Sequence, residues 1–187
     1  MDYVAVTDHN EIEFAQQLRQ ELGDQIIVGE EIMTSKGEIV GLFLKKLIKP
    51  GQSPAKTAQA IKAQGGLVYI PHPFETVRSG LSFEDLDDIA KQVDIIEAYN
   101  GRAVVQNKSA EAVAWAREHQ VQVAASSDAH GRKGVGHTYT TISEPFRHDN
   151  ALTVLQQAHL VKALPPLRSL LYPKMNRLRK RIREEAQ

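Results

Sequence analysis

Four short apolar stretches of this chain each run into residues able to bind a metal ion: Tyr3-Val4-Ala5-Val6-Thr7-Asp8-His9, Ile26-Ile27-Val28-Gly29-Glu30-Glu31, Leu67-Val68-Tyr69-Ile70-Pro71-His72 and Val121-Gln122-Val123-Ala124-Ala125-Ser126-Ser127-Asp128-Ala129-His130. A run of β-branched and apolar residues reads as a strand buried on both faces. In α/β folds the polar residues at the carboxyl ends of such strands converge on one place. The imidazoles and carboxylates here are therefore expected to share a pocket.

The segments between these runs complete an alternation of strand and helix. Asn10 is placed to cap a helix in which Ile12, Ala15, Leu18 and Leu22 recur at helical spacing before Gly23. Residues 26–32 and 37–44 read as strands that can pair as a hairpin across the turn at Ser35-Lys36-Gly37. A helix is expected over 54–64 with Pro54 in its first turn, another from the Ser82-to-Asp85 start to about residue 92, and a strand over 93–100. The helix over 108–119 has Ala112, Trp115 and Ala116 as its inner face. Beyond the loop at 131–136, residues 137–142 read as a strand and 149–160 as a helix. Such alternation implies a largely parallel sheet with helices outside, open or closed into a barrel.

Size and charge narrow the function. A chain of 187 residues suffices for one compact domain. Lys plus Arg and Asp plus Glu both number 23, so no net field draws the protein to nucleic acid or an anionic membrane. With no Cys, thiolate chemistry is excluded and any metal must use His, Asp and Glu. The N-terminus lacks the layout of a signal peptide and no apolar run approaches a membrane span. A soluble cytoplasmic protein is the expectation.

His9, Glu30, Glu31, His72, Asp128 and His130 are the candidate ligands. Imidazole and carboxylate together suit Zn, Mn or Fe. Singly each has a simpler explanation: Asp8 as a helix cap, His72 before Pro73 as a turn residue, Asp128 as a solvated strand end. Four apolar runs that all end in ligand-type residues are not what turn chemistry alone produces.

The motifs Thr7-Asp8-His9-Asn10, Gly29-Glu30-Glu31, His72-Pro73, Ile96-Glu97-Ala98-Tyr99-Asn100 and Ser127-Asp128-Ala129-His130, in that order, resemble those of the PHP (polymerase and histidinol phosphatase) family. The likeness covers about residues 1 to 145. It implies a distorted (β/α)7-type barrel whose strand ends hold two or three divalent ions and hydrolyse phosphoester bonds. Carried onto this sequence, it assigns His9 and His130 to one metal, His72 to a second and Asp128 to a third, with Glu31 bridging two ions. Glu30 then points the other way along the strand. Asp8 is expected to orient His9 or a water, Asn100 and Arg102 to contact substrate, and Lys133 to add a point charge. The expected substrate is a small phosphorylated metabolite, a nucleotide or an oligonucleotide end.

The sequence also departs from that pattern. It contains no His-x-His pair, the motif with which family members begin, so two ligands and one strand of the family site are missing from it. A start assigned too late, a shortened chain and a remnant without catalysis are the three readings this leaves. The last implies a catalytically silent metal-binding or interaction domain as the alternative function. Residues 1–165 are expected to form the phosphoesterase-like domain and 166–187 a basic helical tail carrying Lys174, Arg177, Arg179, Lys180, Arg181 and Arg183, a weak nucleic-acid handle at most. His119, His148 and His159 are assigned to helical regions, and His137 to a loop near the last motif.

Overall fold

The computed structural model describes residues 1–173, 175 and 176. Six strands form one curled, half-barrel sheet in chain order: β1 (Val4–Val6), β2 (Ile26–Met33), β3 (Glu38–Leu42), β4 (Leu67–Ile70), β5 (Ile95–Asn100) and β6 (Gln122–Ser126). β1 runs parallel to β2, and β4, β5 and β6 are mutually parallel; β3 is antiparallel to both its neighbours. A separate antiparallel pair, β7 (Tyr139–Thr141) and β8 (His159–Val161), stands beside it. The helices are α1 (Glu13–Leu22), α2 (Pro54–Ala63), α3 (Phe83–Asp87), α4 (Ser109–His119) and α5 (Ala151–Gln156).

Local chemistry sets the element ends. Ser53 Oγ accepts from the Lys56 amide ahead of Pro54 at the start of α2, and Ser82 Oγ accepts from the Asp85 amide at 3.1 Å to open α3. Gln120 adopts a left-handed backbone, φ 57°, and ends α4. The sheet is covered on both sides. Ile39, Val68 and Ile96 pack with Ile61 and Trp115 in one apolar cluster, while their chain neighbours Val40, Tyr69 and Ile95 pack with Leu155 in the other. Period-two alternation with both faces dry explains why the strands read as continuous apolar runs.

A uniform (β/α)7 alternation is not what the chain adopts. The turn between β2 and β3 is held by Thr34, whose Oγ1 donates to Gly37 O at 2.6 Å and accepts from the Gly37 amide at 3.1 Å. So tight a turn has no room for a crossover helix and forces an antiparallel hairpin. Asn10 does not cap α1. Its Oδ1 accepts from the Met33 amide at 3.0 Å, and the Glu11 carboxylate accepts from the Phe14 amide at 2.9 Å instead. Leu22 is 52% exposed rather than part of the inner face of α1, whereas Ala112, Trp115 and Ala116 are buried as the spacing predicts. The final helical segment is shorter than 149–160, because His159 belongs to β8. Of the tail, Leu167–Leu171 form a 3-10 turn, and residues 174 and 177–187, with all six residues of the basic stripe, lie outside the described residues.

Candidate metal centre

The carboxyl end of β1 is tied to the end of β2 by main-chain bonds, Glu31 N–H to Asp8 O at 3.1 Å and Asn10 N–H to Glu31 O at 3.0 Å, which set His9 beside Glu31. Across the hairpin Met33 is opposite Glu38 and Glu31 opposite Val40. Glu31 and Glu38 are thus diagonal neighbours on one face. Glu30 faces the other way, and its Oε2 accepts from the Ile48 amide at 2.9 Å. His72 follows β4 with a positive φ of 29°, a conformation rare outside glycine and found where surrounding contacts hold a strained residue. The Glu97 carboxylate supplies one such contact, accepting from the His72 amide at 2.6 Å.

Two imidazoles each approach the same two carboxylates. His9 Nδ1 lies 3.7 Å from Glu31 Oε2 and 3.3 Å from Glu38 Oε1. His72 Nε2 lies 3.2 Å from Glu31 Oε1 and 3.5 Å from Glu38 Oε2. Each carboxylate therefore offers one oxygen to each imidazole. Donors held about 2.1 Å from a tetrahedral ion stand about 3.4 Å apart, close to the His9–Glu31 and His9–Glu38 spacings, and one ligand atom from each of His9, Glu31 and Glu38 lies within 4.8 Å of the other two, so this triad fits a divalent cation. The opposed oxygens also fit a carboxylate shared by two ions. The hydrogen bond that the His9 ring donates to the Glu38 carboxylate and the nearby Glu31 charge outweigh partial burial and push the His9 pKa up to about 9. At His72 burial opposes the charged form, but Glu31 and Glu97 prevail and raise its pKa.

Beside this quartet sits a second charged group. Asp128, itself at a positive φ of 47°, meets Arg78 Nη1 at 2.5 Å, Asn100 Nδ2 at 3.2 Å and Arg102 Nη1 at 3.3 Å. Burial works against its charge, but Arg102 and Arg78 more than compensate and its pKa is lowered. Arg78 also makes a two-point bond to Glu75, at 2.9 and 2.6 Å. Glu97 accepts from Asn100 Nδ2, Tyr69 OH and Ser126 Oγ; burial nevertheless raises its pKa. The His130 ring lies 6.0 Å from the His9 ring, and its Nδ1 is 3.2 Å from both Arg102 Nη1 and Asp128 O.

The structure thus brings His9, Glu31, His72, Asp128, His130, Asn100 and Arg102 into one region. Asp8 is exposed and makes no hydrogen bond to His9 among the described residues; partial desolvation and the Glu11 charge raise its pKa. Lys133 is exposed, with no hydrogen bond or ion pair to the cluster among the described residues, and His137 is likewise uninvolved. Sequence reasoning missed Glu38, Arg78 and Glu75. Glu38 opens rather than ends its strand, and only its antiparallel pairing brings it to the ligand end; the hairpin reading, carried one step further, would have found it.

Residues 107–160, which include Asp128 and His130, match the family described as PHP-associated. The uncharacterized protein MJ1587 of Methanocaldococcus jannaschii is 39% identical over 110 residues, covering 57% of this chain and 64% of its own length. A second protein of that organism, MJ0417, is 33% identical over 147 residues, covering 75% of this chain and 57% of its own. The chain thus spans less than two thirds of either relative. Among solved structures, a two-domain protein containing a predicted PHP-like metal-dependent phosphoesterase from Bacteroides vulgatus superposes with a TM-score of 0.57 at 17% identity, over 94% of this chain and 61% of that one. The chain therefore shares the fold of a PHP-like protein, and its residues 107–160 match the PHP-associated family. PsfC from Pseudomonas syringae has the same fold, with a TM-score of 0.60 at 14% identity over 97% of this chain and 84% of its own. No helix of the chain is long and apolar enough to cross a membrane, among the described residues.

Proposed function

We propose that this chain is a PHP-family domain that hydrolyses phosphoester bonds with bound divalent ions, on a small phosphorylated metabolite, a nucleotide or an oligonucleotide end. The alternating spacing of His9, Glu31, Glu38 and His72 carries the reading, since four such donors within 3.2–3.7 Å of their neighbours suit a cation better than they suit one another. Asp128 and His130 are the further ligands, at the side of the cluster facing His9. A divalent ion in such a site supplies a water nucleophile near neutral pH and an acid for the phosphoryl oxygens.

The chain's own residues supply the rest. Arg102, its side chain about one fifth exposed, directs guanidinium N–H groups toward the phosphoryl group, where paired bonds to oxygen are favoured. Arg78 is held by Glu75 and keeps Asp128 ionised and aimed. Asn100 ties the two systems together: its Oδ1 accepts from Arg78 Nη1 and from the Arg102 amide while its Nδ2 serves Glu97. A groove of about 500 Å³, lined by Phe74, Glu75, Arg78, Phe83 and the 33–37 turn, shares Glu75 and Arg78 with the Asp128 cluster and is the place assigned to the remainder of the substrate.

The test is turnover of an aryl phosphate by the metal-stripped chain with Mn or Zn restored, beside Glu31→Gln. Metal-dependent turnover lost in the variant is the expected result. Full metal occupancy without turnover of aryl, nucleotide or oligonucleotide phosphates would make the chain a metal-binding domain and overturn the proposal.

A further inference from the structure

The last described residues of the chain rest on the loop that carries His130. Asn176 Nδ2 donates to the His130 carbonyl at 2.9 Å, across 46 positions of sequence. The ring of Tyr172 covers Gly131 so closely that a Cβ there would lie 2.7 Å from ring Cδ2 and 2.8 Å from Cγ. No side chain larger than hydrogen can share that space with the ring. The 3-10 turn Leu167–Leu171 delivers the tyrosine, its geometry set by Ser169, whose amide and Oγ both donate to Pro166 O at 2.8 and 2.7 Å.

His130 is thereby gripped from two sides. With its Nδ1–H donating to the Asp128 carbonyl at 3.2 Å, the ring keeps the Nε2 lone pair for a cation. The C-terminal segment engages the backbone of His130 and the residue after it. With the sheet fixing the ring and the strap fixing the main chain, the imidazole has one orientation. Partners that hold a ligand from behind in this way govern metal affinity nearly as strongly as the ligands do.

We propose that Tyr172 and Asn176 are positioning residues, and that the C-terminal segment is a strap that sets His130 for metal binding. The inference rests on the metal-centre reading above. Its test uses the full chain, cobalt(II) as the probe, visible absorption as the readout of coordination, and NMR of the His130 ring in the metal-free protein. Tyr172→Ala and Asn176→Ala are each expected to weaken cobalt binding about tenfold or more, and Tyr172→Phe to retain it. Gly131→Ala should match Tyr172→Ala in an otherwise native chain yet add little on top of it, because a ring already removed cannot be displaced again. His130 ring resonances should move in Gly131→Ala and Tyr172→Ala, and stay in Tyr172→Phe. Native cobalt affinity and unmoved His130 resonances in those two variants would overturn the strap. A native chain that binds no cobalt would instead sink the metal reading, while the metal-free resonances would still decide whether the strap holds His130.

Discussion

Two adjacent glutamates give opposite expectations. Glu31 and Glu38 face the imidazoles, while Glu30 is fully buried on the far side with Oε1 lacking a partner among the described residues. Glu38→Gln should therefore cost metal affinity by at least about tenfold, read by competition titration, while Glu30→Gln should leave that affinity unchanged and alter only the unfolding free energy. His9 adds a pH dependence. In the metal-free chain the Glu38 hydrogen bond lifts its pKa from 6.5 to about 9, so the protonated imidazole contributes stability that is complete below 6.5 and lost as pH rises through 9. A cation must displace that proton. Metal affinity should thus climb between about pH 6.5 and about pH 9, and chemical denaturation of the metal-free chain should show the opposite slope; His9→Gln removes both trends.

At the level of elements, the segment from His72 to Leu81 packs so tightly that Gly80 is part of the site. A Cβ at Gly80 would stand 2.4 Å from His72 O and 3.0 Å from Glu75 N and O, all backbone atoms that cannot swing aside. Gly80→Ala should cost about 1–3 kcal/mol of stability by overpacking and also loosen metal binding, since it displaces His72 and the Glu75–Arg78 pair together; thermal melts and metal titration measure the two effects. Which elements could be read in the sequence follows from how local their causes are. Ser53-Pro54 and Ser82 announce their helices through caps a few residues long, and Ala112, Trp115 and Ala116 mark a buried face by spacing alone. His9, Glu31, His72 and Asp128 were legible because each ends an apolar run. Glu38 and Arg78 were not, because one begins a strand that pairs antiparallel and the other sits in an irregular loop that becomes informative only when folded against Asp128. Asn10 misled for a related reason: its side chain serves either a helix start or a distant amide, and the tertiary partner, Met33, prevailed.

The whole molecule is a half-barrel whose two apolar clusters are separated by the sheet, while the ligands gather at one end of it. That arrangement couples metal to global stability. An ion that binds only the folded chain stabilises it by mass action. At a free metal concentration about a hundred times Kd the gain is about 2.7 kcal/mol, which for a chain of this size raises Tm by about 5–10 °C. A scan with and without Mn or Zn checks it, with Glu31→Gln as the control that should show little shift. The central claim is that side chains from β1, β2, β3 and the end of β4 converge to hold a divalent cation. Metal content measured on the purified chain after equilibration with Zn or Mn and removal of free ions tests it most directly. The account predicts at least one tightly held ion per chain, lost when His9 and Glu31 are replaced together by Ala and Gln; a chain that stays metal-free, or a double variant that retains its ions in full, would contradict it.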